Sequence, residues 1–473
     1  MKQFIFITIF SICTFSSIVS AQDINGLTKK AKAGDPTAQC ELARLYIRGE
    51  GVDVDYAKAI ELYLSAAAQN YAEAQSCLGL FAALRKDYKN ALYWYTLAAE
   101  QGYADAQDGL AMLYQGGLGV DRDIQKAAFW YEKAAAQNHA SSQYKLAQIY
   151  FSFEDDTYKS KAITLLQKAA AQNNANAQFD LATRYFTGDG VTANKKNAID
   201  LFQKAAENGN ANAQYILGSM YENGEEMPKD AQMAVHWYKQ AAKQNHAKAQ
   251  LKLAMGLYEV DRKIAVDLFL KAAENGNSKA QYLVALMYDE GQDLPKDDKK
   301  AVYWYHKAAE QDVAEAQLAL GKRYITGEGV HVDKKTAIDL FLKAAENGNM
   351  QAQFLVGVIY EEGEDIPKDD SKAMYWYQRA AEQGHANAQF NIGMRYLSGD
   401  GVEYDAEKSA YWFGKSAEQG FVNAIYAMGN LYEKGIGVKQ NKKEAIKMYK
   451  KASGDIPAAA EAYKRLAAEG YSE

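Results

Sequence analysis

The chain has 473 residues, 48% of them hydrophobic and 24% charged, and a formal net charge of −6. Spread over this length, that charge leaves no basic footprint for nucleic acid and no polybasic patch for anionic lipid. Only 5 prolines are present, which suits a largely helical chain.

Residues 1–21 read as an export signal. Lys2 supplies the positive start, Phe4 to Val19 run apolar with a few Ser and Thr, and Val19-Ser20-Ala21 offers small residues for cleavage before Gln22. Cys13 lacks the preceding residues of a bacterial lipid-attachment site. No later stretch is long and apolar enough to span a bilayer. The expectation is an exported protein, periplasmic or extracellular, with no integral membrane segment once the signal is removed. Residues 22–35 then read as a capping helix, with Leu27, Ala31 and Ala33 before Gly34.

From residue 36 to 456 the dipeptide Ala-Gln sets a rhythm. Gln39, Gln75, Gln107, Gln143, Gln178, Gln214, Gln250, Gln281, Gln317, Gln353 and Gln389 mark eleven units, and Ile425 stands in the twelfth. Most spacings are 36 residues, a period that signals a repeat array. Each unit predicts two helices. In the first, the Ala before the Gln, a Leu three residues after it and a Tyr seven after it share one face. The position after the Leu is Ala or Gly, so a neighbouring helix backbone is expected to come close there. A Gly-x-Gly-Val loop follows, as in Gly49-Glu50-Gly51-Val52 and Gly399-Asp400-Gly401-Val402. It joins helix to helix and lacks the strand and third glycine of a dinucleotide fingerprint. Repeats two and seven lose most of it.

The second helix carries an aromatic pair and then Lys-Ala-Ala. All 6 tryptophans, Trp94, Trp130, Trp237, Trp304, Trp376 and Trp412, occupy one position. Leu201, Leu268 and Leu340 replace them elsewhere, which marks a core slot, not a ligand cage. Gly102, Gly209, Gly276, Gly348, Gly384, Gly420 and Gly454 close seven units, and Asn70, Asn138, Asn173, Asn245 and Asp312 close five. These residue types tolerate the left-handed backbone that ends a helix. Residues 457–473 read as a terminal capping helix after Pro457.

These motifs resemble the Sel-one-like repeat family, a relative of the tetratricopeptide repeat. Ala-x-Ala-Gln, Leu-Gly-x-x-Tyr, Gly-x-Gly-Val and Lys-Ala-x-x-Trp-Tyr-x-Lys-Ala-Ala all stand in this chain. The resemblance implies an all-α, right-handed superhelical solenoid of about twelve antiparallel hairpins, with the first helices lining a concave surface. It also implies a scaffold or adaptor that binds a protein or peptide partner.

Core positions cannot discriminate partners, so variable first-helix positions are the candidates. Six residues after the Gln stand Arg184, Arg323 and Arg395 in repeats five, nine and eleven. Met220, Met287 and Ile359 stand there in repeats six, eight and ten. These six are expected to form alternating basic and apolar stripes toward a partner, against the plainer reading that they pack between hairpins. The acidic turns Gly224-Glu225-Glu226, Gly291-Gln292-Asp293 and Gly363-Glu364-Asp365 lack the ligand spacing of a calcium loop. Cys40 and Cys77 fall in successive repeats. Neighbouring helices sit about 8–10 Å apart, whereas a disulfide needs Cα atoms within about 7 Å, so a bridge and two reduced thiols both stay open. The histidines are scattered, and no catalytic or metal motif stands out. No cofactor and no enzymatic activity are expected. Some cysteine-rich secreted relatives are associated with β-lactams, which makes a β-lactam- or cell-wall-directed hydrolase the alternative. A secreted host-interaction factor is another.

Overall fold

The computed structural model describes residues 21–153 and 155–471. Of the expected export signal, all but Ala21 lies outside the described residues. Among the described residues every regular element is a helix, from Ala21–Lys32 to Pro457–Ala468. The chain divides into two compact units, Met1–Gln244 and Asn245–Glu473. The first holds the helix Ala21–Lys32 and repeats one to six. The second holds repeats seven to twelve and the helix Pro457–Ala468. Within each unit a first helix packs on the second helix of its own repeat and on that of the repeat before it. The result is an all-α array of helix hairpins.

Local chemistry sets the helix ends. An Asp or Asn precedes most second helices, and its side chain accepts a backbone N–H of the first turn, as Asp55 does from Lys58 at 3.0 Å and Asp123 from Lys126 at 2.8 Å. First helices are capped by Asn174, Asn210, Asn277 and Asn349. His139, His246 and His385 fill the same place, each accepting through Nδ1. The three histidines that open repeats are therefore helix caps.

Second-helix closure follows the sequence pattern, with one correction. Gly102, Gly209, Gly276, Gly348, Gly384 and Gly420 have positive φ, as do Asn70, Asn138, Asn173, Asn245 and Asp312. Gly454 does not. The last second helix stops at Ala452, with Ser453 at φ −67°. The amides of Ser453, Asp455 and Ile456 turn back onto the carbonyls of Lys450 and Ala452. Those carbonyls are thus satisfied without a left-handed residue. Repeat four also departs from the glycine-loop pattern, since its first helix Ala140–Phe151 leads within five residues to Asp156–Ala171.

The small residue after the Leu makes room for a ring rather than for a backbone. A Cβ built on Gly79, Gly218, Gly357 or Gly393 would lie 2.6 Å from the ring of Tyr95, Tyr238, Tyr377 or Phe413. The second member of each aromatic pair is the true core group. Tyr63, Tyr131, Tyr305, Tyr377, Tyr449 and Phe413 are fully buried. The tryptophans flank them, and only Trp237 and Trp376 count as buried.

The marker Gln has a reason of its own. Its amide reaches back to a carbonyl in the last turn of the preceding second helix: Gln39 to Ala31 at 3.1 Å, Gln178 to Ala170 at 3.1 Å, Gln353 to Ala345 at 3.0 Å. Its Oε1 accepts from the residue that ends its own second helix: from Asn208 to Gln178 at 2.9 Å, from Gln383 to Gln353 at 2.7 Å. A buried side-chain amide therefore ties three helices together in repeat after repeat, which satisfies helix ends that packing would otherwise strand.

Candidate interaction surface

The six residues at position six after the Gln lie between repeats, and they fall in both units rather than in one cluster. Arg184 lays its guanidinium 3.4 Å over the ring of Phe151 from the repeat before. Its Nη1 bonds Asp189 at 2.6 Å. Arg323 pairs with Asp289 of repeat eight, with Asp298 at 3.4 Å, and with Glu328 at 2.5 Å. Arg395, only 4% exposed, sets Nη2 2.9 Å from Glu361 and 3.3 Å from Asp370. Its Nη1 donates to the Asp400 carbonyl at 3.2 Å. Met220 packs near Phe202 and Trp237, Met287 near Phe269 and Val284, and Ile359 near Phe341 and Trp376.

The side chains that leave the first helices outward stand one residue earlier. At about 100° per residue, position five lies about 170° from the centre of the buried face, and position six only about 90°. Met112, Met255 and Met394 are exposed there, and Lys322 as well, while Leu80, Leu286 and Val358 are half-buried. Their contacts reach the first helix of the next repeat: Arg44 meets Glu73 at 2.8 Å, and Met112 lies 3.0 Å from Lys145. In the second unit this gives a ridge of Met255, Leu286, Lys322, Val358 and Met394. Lys279, Glu315, Gln351, Asn387 and Asn423 are the residues two before the marker position of repeats eight to twelve. In the first unit the same face is more acidic. There Asp108 holds Lys145 at 2.7 Å, and Asp180 accepts from Gln148 at 2.6 Å, with burial raising the Asp180 carboxyl above its ordinary range.

One cluster has the residue types of a hydrolytic triad. His139 sets Nδ1 2.8 Å from Ser142 Oγ and Nε2 3.1 Å from Asp105, and Ser142 Oγ donates to Asp108 at 2.7 Å. Ser142 is fully buried, so no substrate carbonyl can reach its oxygen. The group caps the helix Ala140–Phe151 and fastens it to the first helix of repeat three.

The acidic turns are also fasteners. Glu226, Asp293 and Asp365 each receive a cation from the second helix of the preceding repeat, namely Lys195, Arg262 and Lys334. The Arg262 guanidinium holds the Asp293 carboxyl below its ordinary value. A depressed carboxyl contributes stability that is complete above its unfolded value of about 3.9 and is lost as pH falls through the lower, folded one. Arg262→Gln should lower the amide protection factors of the turn 291–296 at neutral pH and blunt their further fall in acid. Equal exchange in both proteins would show that the pair contributes nothing. Among the described residues no group of three or more His, Cys, Asp or Glu is placed to hold a metal ion. Cys40 and Cys77 are free thiols; Cys40 is fully buried in the cluster around Tyr63, and burial raises it well above an ordinary thiol. No helix among the described residues is long and apolar enough to cross a membrane.

Comparison with known proteins agrees with this architecture. The profile of the Sel1 repeat matches twelve successive stretches between residues 36 and 453. Among solved structures, the chain is similar to a protective antigen with an SLR fold present in uropathogenic Escherichia coli strains. The two share 30% identity over 94% of this chain and 90% of that one, with a TM-score of 0.63. A Sel1 repeat protein from Oxalobacter formigenes shares 30% identity over 68% of this chain and 93% of its own, with a TM-score of 0.45. Cysteine rich protein B of Helicobacter pylori shares 27% over 26% of this chain and 92% of its own, with a TM-score of 0.23. No curated protein matches the chain. With twelve profile matches falling on successive helix hairpins in both units, the chain belongs to the Sel1 repeat family, whose repeats mediate protein–protein interaction.

Proposed function

We propose that this chain is an exported, non-catalytic scaffold that holds a segment of a partner protein along the first-helix ridge. The observation that carries the reading is the ridge of the second unit. Met255, Leu286, Val358 and Met394 present apolar side chains from successive first helices, yet the inter-repeat core does not use them fully. Lys279 and Lys322 stand among them, so the surface mixes anchors with charge as interfaces do. Arg184, Arg323 and Arg395 serve this surface by keeping neighbouring first helices in register, and bear on a partner through that register. The export signal read in residues 1–21 and the similarity to a protein described as a protective antigen support export.

The test is capture with crosslinking from both envelope and medium, using the full chain and the triple variant Leu286→Glu, Val358→Glu, Met394→Glu. Met394 is exposed, whereas Leu286 and Val358 pack partly on core clusters and should cost about 1 kcal/mol each, so helicity and urea unfolding of the variant are compared with the parent. Recovery of the specific partner is expected to fall at least about tenfold, the loss of roughly one interface anchor. Undiminished recovery would remove the ridge from the reading. Export is checked by the N-terminus of the recovered protein, which should begin at Gln22. A chain that keeps residues 1–21 inside the cell would sink that part.

A further inference from the structure

One second-helix position holds either a tryptophan or an aliphatic residue, and at two of the aliphatic places a cleft stands open beside it. In repeat six, Trp237 packs among Phe202, Ala206 and Leu217. Thirty-six residues earlier the equivalent walls are Ala170 and Leu181, with Leu201 in the tryptophan's place. There a cleft of about 430 Å³ stands open. The second unit repeats the relation at its end. Trp412 packs among Ala381, Ala388 and Ile392. Thirty-six residues on, Ala417, Met428 and Met448 line a cleft of about 440 Å³. Two further differences mark its lining. Gly414 stands where repeat ten has Gln378, and Ile425 replaces the marker glutamine. Glu418 and Lys451 hold opposite charges at its rim.

We propose that the cleft between the second helices Ala406–Glu418 and Lys442–Ala452 is a socket for a tryptophan side chain of a protein partner. The proposal rests on the scaffold reading and names the anchor such a partner would bring. The chain itself shows that walls of this kind pack against an indole, because one repeat earlier Trp412 closes the place that the slimmer Met448 takes here. The socket continues the row of inter-repeat tryptophans, so a partner's indole extends packing already present. Met428 and Met448 add polarisable sulfur, which packs well on aromatic rings. Glu418 and Lys451 can meet the amide groups that flank a tryptophan in a polypeptide, and free aromatic molecules lack such groups. Tryptophan is also enriched among the residues that anchor interfaces.

The experiment follows the methyl signals of Met428 and Met448 in the full chain during titration with N-acetyl-tryptophanamide. Saturable shifts are expected, with a Kd on the order of 0.1–1 mM, as suits a ligand of this size. N-acetyl-alaninamide should give none. Met448→Trp fills the socket with the chain's own indole and should weaken binding at least about tenfold, while helicity and unfolding midpoint hold or rise. Gly414→Gln, which narrows the socket from the other wall, should weaken it too. Absence of saturable shifts at Met428 and Met448, or undiminished binding by Met448→Trp, overturns the proposal. So does equal binding of bare indole, which would make the socket a site for free aromatic molecules. Loss of the socket's ligand with ridge-dependent capture intact would leave the scaffold reading standing, so the two failures are distinguishable.

Discussion

Arg395→Glu is expected to destabilise the unit Asn245–Glu473 by about 2–3 kcal/mol, the cost of placing a carboxylate in a buried site beside like charges, reduced because those partners reach water. The native guanidinium sits between Glu361 and Asp370 at 2.9 and 3.3 Å and lies over the ring of Tyr377 at 5.7 Å. Glu361 also accepts the buried Tyr377 hydroxyl at 2.5 Å, so the arginine anchors a core residue as well as a repeat boundary. A glutamate there would put a buried carboxylate against two partly solvated ones. Arg395→Lys keeps the charge but loses the fork that reaches several acceptors at once, and should cost less, about 1–2 kcal/mol. Met394→Glu, one residue earlier and exposed, should change stability by no more than about 0.5 kcal/mol. Because repeat arrays can open locally, the measurement is amide exchange across repeats ten and eleven alongside urea unfolding. Similar effects at 394 and 395 would refute the division between an inner arginine and an outer ridge.

That division shows what the sequence pattern can and cannot carry. Periodicity specifies the hairpins, because Ala, Leu and Tyr at helical spacing leave one buried face, and Gly or Asn marks each reversal. It does not say which of two flanking positions faces a partner, since positions five and six differ by one helical step. A pairwise signal for the inner role does exist at fixed spacing. Arg323 follows Asp289 by 34 residues, and Arg395 follows Glu361 by 34. The terminal helix obeys the same logic at a slightly different offset, with Arg465 gripping Glu433 through two bonds of 2.7 and 2.9 Å. The Gln rhythm is plain in the sequence, but its partners lie 8 residues back and 30 residues on in repeat ten, across helix ends that no single-helix pattern displays. The cleft at Met448 is harder still to foresee. It depends on what is missing from a slot together with Gly414 and Ile425 on two other helices.

The amide ladder permits a sharper test than truncation. Gln353 is 1% exposed. Its Nε2 donates to the Ala345 carbonyl and its Oε1 accepts from Gln383. Gln353→Glu keeps the size and shape but replaces the donor with an acceptor. At neutral pH a carboxylate oxygen would face the Ala345 carbonyl at 3.0 Å, with no cation supplied. The expected cost is about 3–5 kcal/mol, that of a buried unpaired charge. Burial and the facing carbonyl both raise this carboxyl's pKa, so the neutral acid should form well above the usual range of about 4.3. Once protonated, the acid donates where the amide did. The deficit relative to the parent should therefore shrink as pH falls through that raised value, opposite to the usual acid loss of stability. Gln353→Leu imitates the apolar residue that repeat twelve carries at Ile425. It should cost about 1–2 kcal/mol without this pH dependence, because the Ala345 carbonyl still accepts from Gly348 N–H at 3.1 Å. Urea unfolding of the parent and both variants between pH 4.5 and 8 (about the range in which the fold's own carboxylates stay ionised) separates the two effects. A deficit for Gln353→Glu that does not vary across that range would mean that size and not donor direction holds this position, and that the ladder is packing with incidental hydrogen bonds.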